Sequence, residues 1–119
     1  MSIVGRIKEL IIKGGENIYP REIEIELAAH PDILEVHVFG IPDQLYGEQV
    51  CCWVKLKDPD TVNAPSADEI RQFLKDRIAY FKIPKHVFLV SDFPLTYTGK
   101  ASKRLMAAKT VELLKQNFQ

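Results

Sequence analysis

The chain has 119 residues, of which 46% are hydrophobic and 27% charged, and its formal net charge is zero. This length and composition are ordinary for one globular domain with one core. No apolar run approaches the roughly 18 residues of a membrane-spanning helix, and the N-terminus lacks the charged-then-apolar pattern of a secretory signal. We therefore expect a single intracellular domain without a transmembrane segment.

The charges are unevenly distributed along the chain. Residues 1–74 contain seven Lys/Arg and thirteen Asp/Glu, whereas residues 75–119 contain nine and three. The two parts carry about −6 and +6, so the C-terminal part is suited to an anionic ligand.

The first third of the chain predicts a hairpin followed by a helix. Leu10–Ile12 and Asn17–Tyr19 have the composition of short strands, and the Gly-Gly pair in the turn between them can take positive φ. The segment Pro20–Ala29 alternates like a strand, but proline suits a first helical position and the early acidic residues suit a helix N-terminus. We therefore predict a helix here, ended by His30-Pro31.

The middle of the chain predicts two neighbouring strands and a second helix. Ile33–Phe39 and Glu48–Lys57 are rich in β-branched and aromatic residues and are separated by turn residues. Ser66 and Glu69 have the spacing of a capping box. The helix that they begin carries one apolar stripe, formed by Ile70, Phe73, Leu74 and Ile78.

The only two cysteines, Cys51 and Cys52, are adjacent within a predicted strand. Their side chains should therefore point to opposite faces, which fits neither a structural disulfide nor a zinc site. We expect two free thiols in a reducing compartment.

The last third predicts a strand at Val87–Val90, a loop after Phe93-Pro94 and a final helix from about Ser102 to Gln116. The whole pattern indicates a small α+β domain, in which a short mixed sheet and an N-terminal β-hairpin pack with about three helices.

Three segments contain residues suited to chemistry. At Gly14 and Gly15 a ligand could approach the backbone closely, although most glycine pairs are simply turns. This pair is not a phosphate loop, because a strand and not a helix follows it.

The second segment has an aromatic pair, Tyr80 and Phe81, next to Lys82 and Lys85. A nucleotide base could stack on the aromatic rings while a lysine ammonium meets phosphate. The plainer alternative there is an aromatic core residue beside solvated lysines.

The third segment presents Lys100 on a Thr-Gly loop tip, where its ammonium could meet a developing negative charge. The alternative is a solubilising charge. Lys103, on the adjoining helix, is expected to matter little if it too is a solvated charge. The histidines adjoin no paired carboxylate or cysteine in the sequence, so we predict no metal site from them; they are His30, His37 and His86.

Taken together, in this order and spacing, the three segments resemble the C-terminal domain of the AMP-forming acyl-CoA synthetases, members of the adenylate-forming superfamily. The family's hinge and glycine-loop motif, middle motif and terminal Pro-x-Thr-x-x-Gly-Lys motif are matched by GRIKELIIKGGENIYPREIE, YFKIPKHVFLV and PLTYTGKASK. The resemblance covers nearly the whole chain. It implies a ligase that activates a carboxylic acid with ATP to an acyl-adenylate and then transfers the acyl group to coenzyme A.

The resemblance also implies roles for the matching residues. Lys100 would bridge the carboxylate and the phosphate oxygens during adenylation, Lys8 would be the hinge residue and Arg6 would lie near the nucleotide. The pantetheine passage would be lined by Gly14, Gly15, Glu16 and Asn17. The adenine and phosphates of coenzyme A would be held by Phe81, Lys82 and Lys85, although Ile83 stands where some relatives have a further cation.

Family members also have a large N-terminal domain that holds ATP and the acid, and the ligands of Mg²⁺ are expected there. Because the chain begins just before the hinge motif, we expect residues 1–119 to be a C-terminal lid that is inactive alone, with its own N-terminal domain, acyl-adenylate and coenzyme A as partners. The GGENIYP form of the glycine loop is similar to that of fatty and aryl acid ligases and suggests a medium-chain acid. We expect a cytoplasmic enzyme, with the mitochondrial matrix as the alternative.

Three other functions stay open at this stage. The lid could belong to a luciferase-like oxygenase or to an adenylation enzyme that serves a carrier protein, since both keep the lysine at position 100. A more distant alternative is a small nucleic-acid-binding module. The zero net charge and the acidic first helix argue against the latter.

Overall fold

The computed structural model describes residues 10–58 and 60–117. Within these ranges the strands and helices are β1 (Ile11–Lys13), β2 (Glu16–Ile18), α1 (Pro20–Ala28), β3 (Ile33–Asp43), β4 (Gly47–Leu56), α2 (Ala67–Lys75), β5 (His86–Leu89) and α3 (Lys103–Asn117). A 3-10 turn at Tyr80–Lys82 precedes β5. The predicted small α+β domain is confirmed.

The strands form two sheets. β1 and β2 make an antiparallel hairpin, while β3, β4 and β5 form a second sheet with β4 at its centre. β3 runs antiparallel to β4, and β5 runs parallel to it. This sheet is therefore mixed, as predicted, and β3 forms one of its edges.

The two faces of the mixed sheet bury different cores. One core packs the β1–β2 hairpin, α1 and α2 on the sheet, through residues such as Ile11, Ile23 and Leu74. The other core packs α3 on the opposite face, where Met106 joins residues of β3 and β4. The sheet thus lies between α3 and the other two helices.

The adjacent cysteines face these two cores, as the strand pattern predicts: Cys52 belongs to the first and Cys51 to the second. Both thiols are buried and free. Burial raises the pKa of the Cys51 thiol to about 12 and that of Cys52 well above its ordinary value. Beside Cys51, Thr110 accepts a hydrogen bond from Trp53 Nε1 at 3.0 Å, which ties α3 to β4.

The helix starts follow from local chemistry. Pro20 occupies the first turn of α1. At α2 the backbone N–H of Glu69 donates to Ser66 Oγ at 3.2 Å, and the N–H of Ser66 donates to Glu69 Oε1 at 2.8 Å, which completes the capping box. The predicted stripe is wrong at its end, because the chain leaves helical geometry at Asp76 and Ile78 packs on the core from the turn that follows.

Several predicted boundaries need correction. β3 continues past Phe39 to Asp43, because Gly40 and Pro42 pair with β4 instead of forming a turn. A proline is tolerated there because β3 is an edge strand. β2 begins at Glu16 and ends at Ile18, so it starts and ends one residue before the predicted return strand.

No helix among residues 10–58 and 60–117 is long and apolar enough to cross a membrane.

Candidate functional site

The predicted glycine loop is the tight turn between β1 and β2. Gly14 and Gly15 have φ of 57° and 88°, a conformation that favours glycine and matches the twist of a two-residue hairpin. The Gly14 N–H donates to the carbonyl oxygen of Tyr46 at 2.8 Å, and a Cβ on Gly14 would lie 3.2 Å from the Tyr46 ring. A Cβ on Gly15 would meet nothing within 4 Å. Gly14 therefore permits a close contact, while Gly15 leaves an open approach to the backbone.

The structure brings this turn together with the aromatic segment. A cavity of about 330 Å³ is lined by Lys13, Gly14, Glu16, Tyr46, Tyr80 and Phe81. Phe81 is half-buried against the first core, whereas Tyr80 is 85% exposed. Two predicted segments, separated by more than sixty residues of sequence, thus meet at one site. Asn17 is exposed on β2 and does not line this cavity.

Lys13 connects two of the segments that line this cavity. Its Nζ donates to the carbonyl oxygen of Phe81 at 3.2 Å and lies 5.3 Å from the centroid of the Tyr46 ring. Burial lowers the pKa of Lys13, and the charge of Lys85 lowers it further, while Asp43 acts in the opposite direction.

The two predicted cations of this region, Lys82 and Lys85, do not line this cavity. Lys82 Nζ lies 2.8 Å from Glu22 Oε1, so it is ion-paired and not simply solvated. The Lys85 side chain is exposed and lines a neighbouring cavity of about 510 Å³ between the β3–β4 turn and α3. Its charge also contributes, after burial, to a lowered pKa of His86.

Lys100 lies in a separate, exposed loop. The loop is closed by an antiparallel bridge between Leu95 and Ala101, and the Thr96 N–H donates to the Lys100 carbonyl oxygen at 2.8 Å. Gly99 has a φ of 89° and its position is open. The turn therefore holds the backbone at Lys100 and leaves its side chain in solvent.

The structure does not bring Lys100 to the glycine turn. The segment before its loop is anchored where Phe93 packs edge-on against His37, with ring centroids 4.7 Å apart, and where Asp92 meets Lys55 near the end of β4. The glycine turn packs instead on Tyr46, beside the tight turn at the start of β4. Two candidate regions are thus presented at different parts of one small domain.

Three further sequence predictions concern Lys103, the hinge segment and metal binding. Lys103 is not a solvated charge: its Nζ lies 2.8 Å from Glu24 Oε2, and the two side chains are only 22% and 15% exposed. Arg6 and Lys8 lie outside the described residues. Within residues 10–58 and 60–117, no group of three or more His, Cys, Asp or Glu could hold a metal ion.

Sequence reasoning missed Lys13 and Tyr46. A lysine beside a glycine pair was a visible signal for the first. Nothing in the sequence indicated the second, because Tyr46 comes from a turn more than thirty residues away and reaches Gly14 only through tertiary packing.

Comparison with known proteins assigns this fold. The family model of the AMP-binding enzyme C-terminal domain matches residues 22–100. The mitochondrial medium-chain acyl-CoA ligase ACSF2 of Danio rerio is 46% identical over 112 residues, which is 94% of this chain and 18% of the relative.

Solved structures agree. A fatty acyl CoA synthetase of Mycobacterium tuberculosis superposes with a TM-score of 0.74 at 35% identity, covering 87% of this chain and 20% of that one. ATP-bound MatB from Rhodopseudomonas palustris gives 0.78 at 36% identity, covering 90% and 21%. The chain spans about a fifth of the length of these relatives. It belongs to the family of AMP-binding enzyme C-terminal domains found in AMP-forming acyl-CoA synthetases.

Proposed function

We propose that the chain is the mobile C-terminal lid of an acid–CoA ligase, which serves adenylation through Lys100 and thioester formation through the glycine turn. The observation that supports this most is the separation of the two regions: an exposed lysine tip on one side and an open glycine turn beside aromatic and cationic side chains on another. A lid with two such faces can present each in turn to one active centre.

In the adenylation half, Lys100 is an exposed cation on a short, hydrogen-bonded turn. Its ammonium enters the active centre of the large domain and lies between the incoming carboxylate and the α-phosphate of ATP. Negative charge develops there as the carboxylate–phosphorus bond forms and pyrophosphate leaves. A preorganised cation stabilises that charge more than it stabilises the separated reactants.

In the thioester half, coenzyme A supplies the thiol that displaces AMP from the acyl carbon. The glycine turn lines the passage for the pantetheine arm, because Gly15 has no side chain and its surroundings are open. Tyr80 and Phe81 offer ring faces on which the adenine of coenzyme A can stack. Lys82 and Lys85 offer positive charge to the phosphates of coenzyme A.

The remaining roles follow the family pattern. Lys8 would absorb the rotation of the lid, and Arg6 would lie near the nucleotide. Mg²⁺ would be held on the large N-terminal domain, where the acid pocket also lies. A medium-chain fatty acid is the proposed substrate, supported by the glycine-loop sequence and by the name of the Danio rerio relative.

The decisive experiment uses Lys100→Ala in the full-length enzyme. Single-turnover pyrophosphate release should fall by about 10²- to 10³-fold, the usual effect of removing one preorganised donor. Thioester formation from pre-made acyl-adenylate should stay near normal, since Lys100 has left the centre by then. Lys100→Arg should rescue poorly, because a planar fork does not replace a compact ammonium.

Lys109→Ala, an exposed lysine on α3, is the matched control and should affect neither half. Equal losses in both halves with Lys100→Ala, or no loss in either, would contradict the proposed function.

A further inference from the structure

A largely buried ion pair joins the helix after the glycine turn to the helix after the Lys100 loop. Glu24 Oε2 on α1 lies 2.8 Å from Lys103 Nζ at the start of α3. The same oxygen accepts the backbone N–H of Val38, on edge strand β3, at 2.8 Å. One carboxylate therefore holds three elements together.

Stability alone does not explain this arrangement. Removing two charges from water carries a large desolvation cost, so a buried pair is weak evidence of a gain in stability over apolar packing. A neutral acceptor would also satisfy the Val38 N–H. What a charged pair adds is a defined geometry between two helices, because the short contact fixes the Lys103 ammonium against one carboxylate oxygen of Glu24.

The position of Lys103 indicates which geometry is fixed. The loop before it is a short ladder: Ser102 N–H donates to the Pro94 carbonyl oxygen at 2.9 Å, and Leu95 bridges Ala101. Lys103 follows directly at the base of this ladder. A shift at the base would be carried to the tip, where Lys100 lies three residues away.

We propose that Glu24 is a positioning residue for adenylation, acting through Lys103 to fix the base of the loop that carries Lys100. The inference rests on the proposed role of Lys100. It assigns Glu24 to the first half-reaction only. Ile23 and Leu27 keep α1 packed in the core when the ion pair is lost, so the glycine turn that precedes α1 should stay in place.

The test measures both half-reactions of the full-length enzyme with Glu24→Gln, which keeps an acceptor for Val38 and loses the charge. Adenylate formation should fall by about tenfold or more, toward the roughly 10²-fold loss that a 1 Å misplacement can cause. Thioester formation from pre-made acyl-adenylate should be unchanged. Lys103→Met should give the same loss and Lys103→Arg should restore most of it.

The rate of adenylate formation in a double variant distinguishes a positioning role of Glu24 from a purely structural one. In a Lys100→Ala background, Glu24→Gln should add almost nothing, because it acts through the lysine already removed. A purely structural residue would add its full effect. Glu26→Gln is the matched control, because Glu26 lies on the same helix and pairs with Arg77 at 3.2 Å.

Should Glu24→Gln fail to fold, Lys103→Met carries the test, since it leaves the Glu24–Val38 bond in place. Equal loss in both halves, additive loss with Lys100→Ala, or no loss at all would each overturn the inference. If Lys100→Ala slows adenylation while both Glu24→Gln and Lys103→Met do not, the inference fails and the proposed function stands. If Lys100→Ala itself is silent, both fail.

Discussion

Lys13 donates to the carbonyl oxygen of Phe81 at 3.2 Å, although 68 positions separate them. The same ammonium faces the ring of Tyr46. One side chain thus links the glycine turn to the 3-10 turn and to the β3–β4 turn, the three segments that line the proposed coenzyme A site.

Lys13→Met should therefore weaken thioester formation specifically. Methionine keeps the apolar stem but removes the hydrogen bond and the cation–π contact, each worth about 1 kcal/mol. The KM for coenzyme A should rise by up to about thirtyfold in the full-length enzyme, the equivalent of both contacts, with adenylate formation unchanged. Steady-state kinetics at saturating ATP and acid measure this. Lys57→Met, an exposed lysine just after β4, is the control, and an equal rise in both variants would contradict the role of Lys13.

Gly15 allows a test of the passage that separates backbone strain from side-chain bulk. Its φ of 88° disfavours any side chain, but asparagine tolerates positive φ far better than leucine does. Gly15→Leu should block thioester formation and leave adenylate formation intact, while Gly15→Asn should block it less. Rapid-quench measurement of both half-reactions decides, and a matching fall in adenylate formation with Gly15→Leu would refute the passage.

The sequence predicted those parts of the molecule that depend on local rules. The capping box of Ser66 and Glu69, the Gly-Gly hairpin and the alternation of Cys51 and Cys52 each depend on residues close in sequence, and each is confirmed. The extent of β3 was wrong because pairing with β4 overrides the turn tendency of Gly40 and Pro42.

The missed contacts share a different cause. Tyr46 against Gly14 and Glu24 against Lys103 join residues from separate elements, and no periodicity or spacing encodes such distances. Lys103 has an ordinary surface composition around it in the sequence, so only the packing of α3 across β3 reveals that its charge is largely buried and paired.

The two thiols should be unreactive in the folded chain. Burial raises the pKa of Cys51 to about 12, so almost no thiolate exists at pH 8, and Cys52 is fully buried in the other core. An aromatic disulfide reagent should label neither thiol over minutes in buffer and both within seconds in guanidinium chloride. Rapid labelling of one thiol in buffer would contradict the buried placement.

His86 should make the folded chain less stable in mild acid. Burial lowers its pKa from the ordinary 6.5, and Lys85 and Arg71 lower it further. The unfolded chain then binds the proton more readily, so the stability contributed by the neutral ring is present above about pH 6.5 and is lost as the pH falls below it. The slope for one proton is at most about 1.4 kcal/mol per pH unit.

Urea unfolding between pH 7.5 and 5.5 measures this slope. His86→Gln cannot take up the proton, so its unfolding free energy should fall less steeply with decreasing pH than that of the unmodified chain. Identical slopes in the two proteins would show that His86 does not contribute.

The isolated chain should fold cooperatively and yet be inert. It has its own two cores, with residues such as Ile18, Val54 and Met106 fully buried, so a single thermal transition by circular dichroism is expected. Its proposed catalytic lysine is exposed and has no acid or nucleotide to act on without the large domain. Pyrophosphate release with ATP, Mg²⁺ and octanoate should therefore equal the buffer rate, while the full-length enzyme turns over under the same conditions. Turnover by the isolated chain that disappears on Lys100→Ala would mean that the chain catalyses adenylation without a partner domain, and the lid interpretation would be wrong.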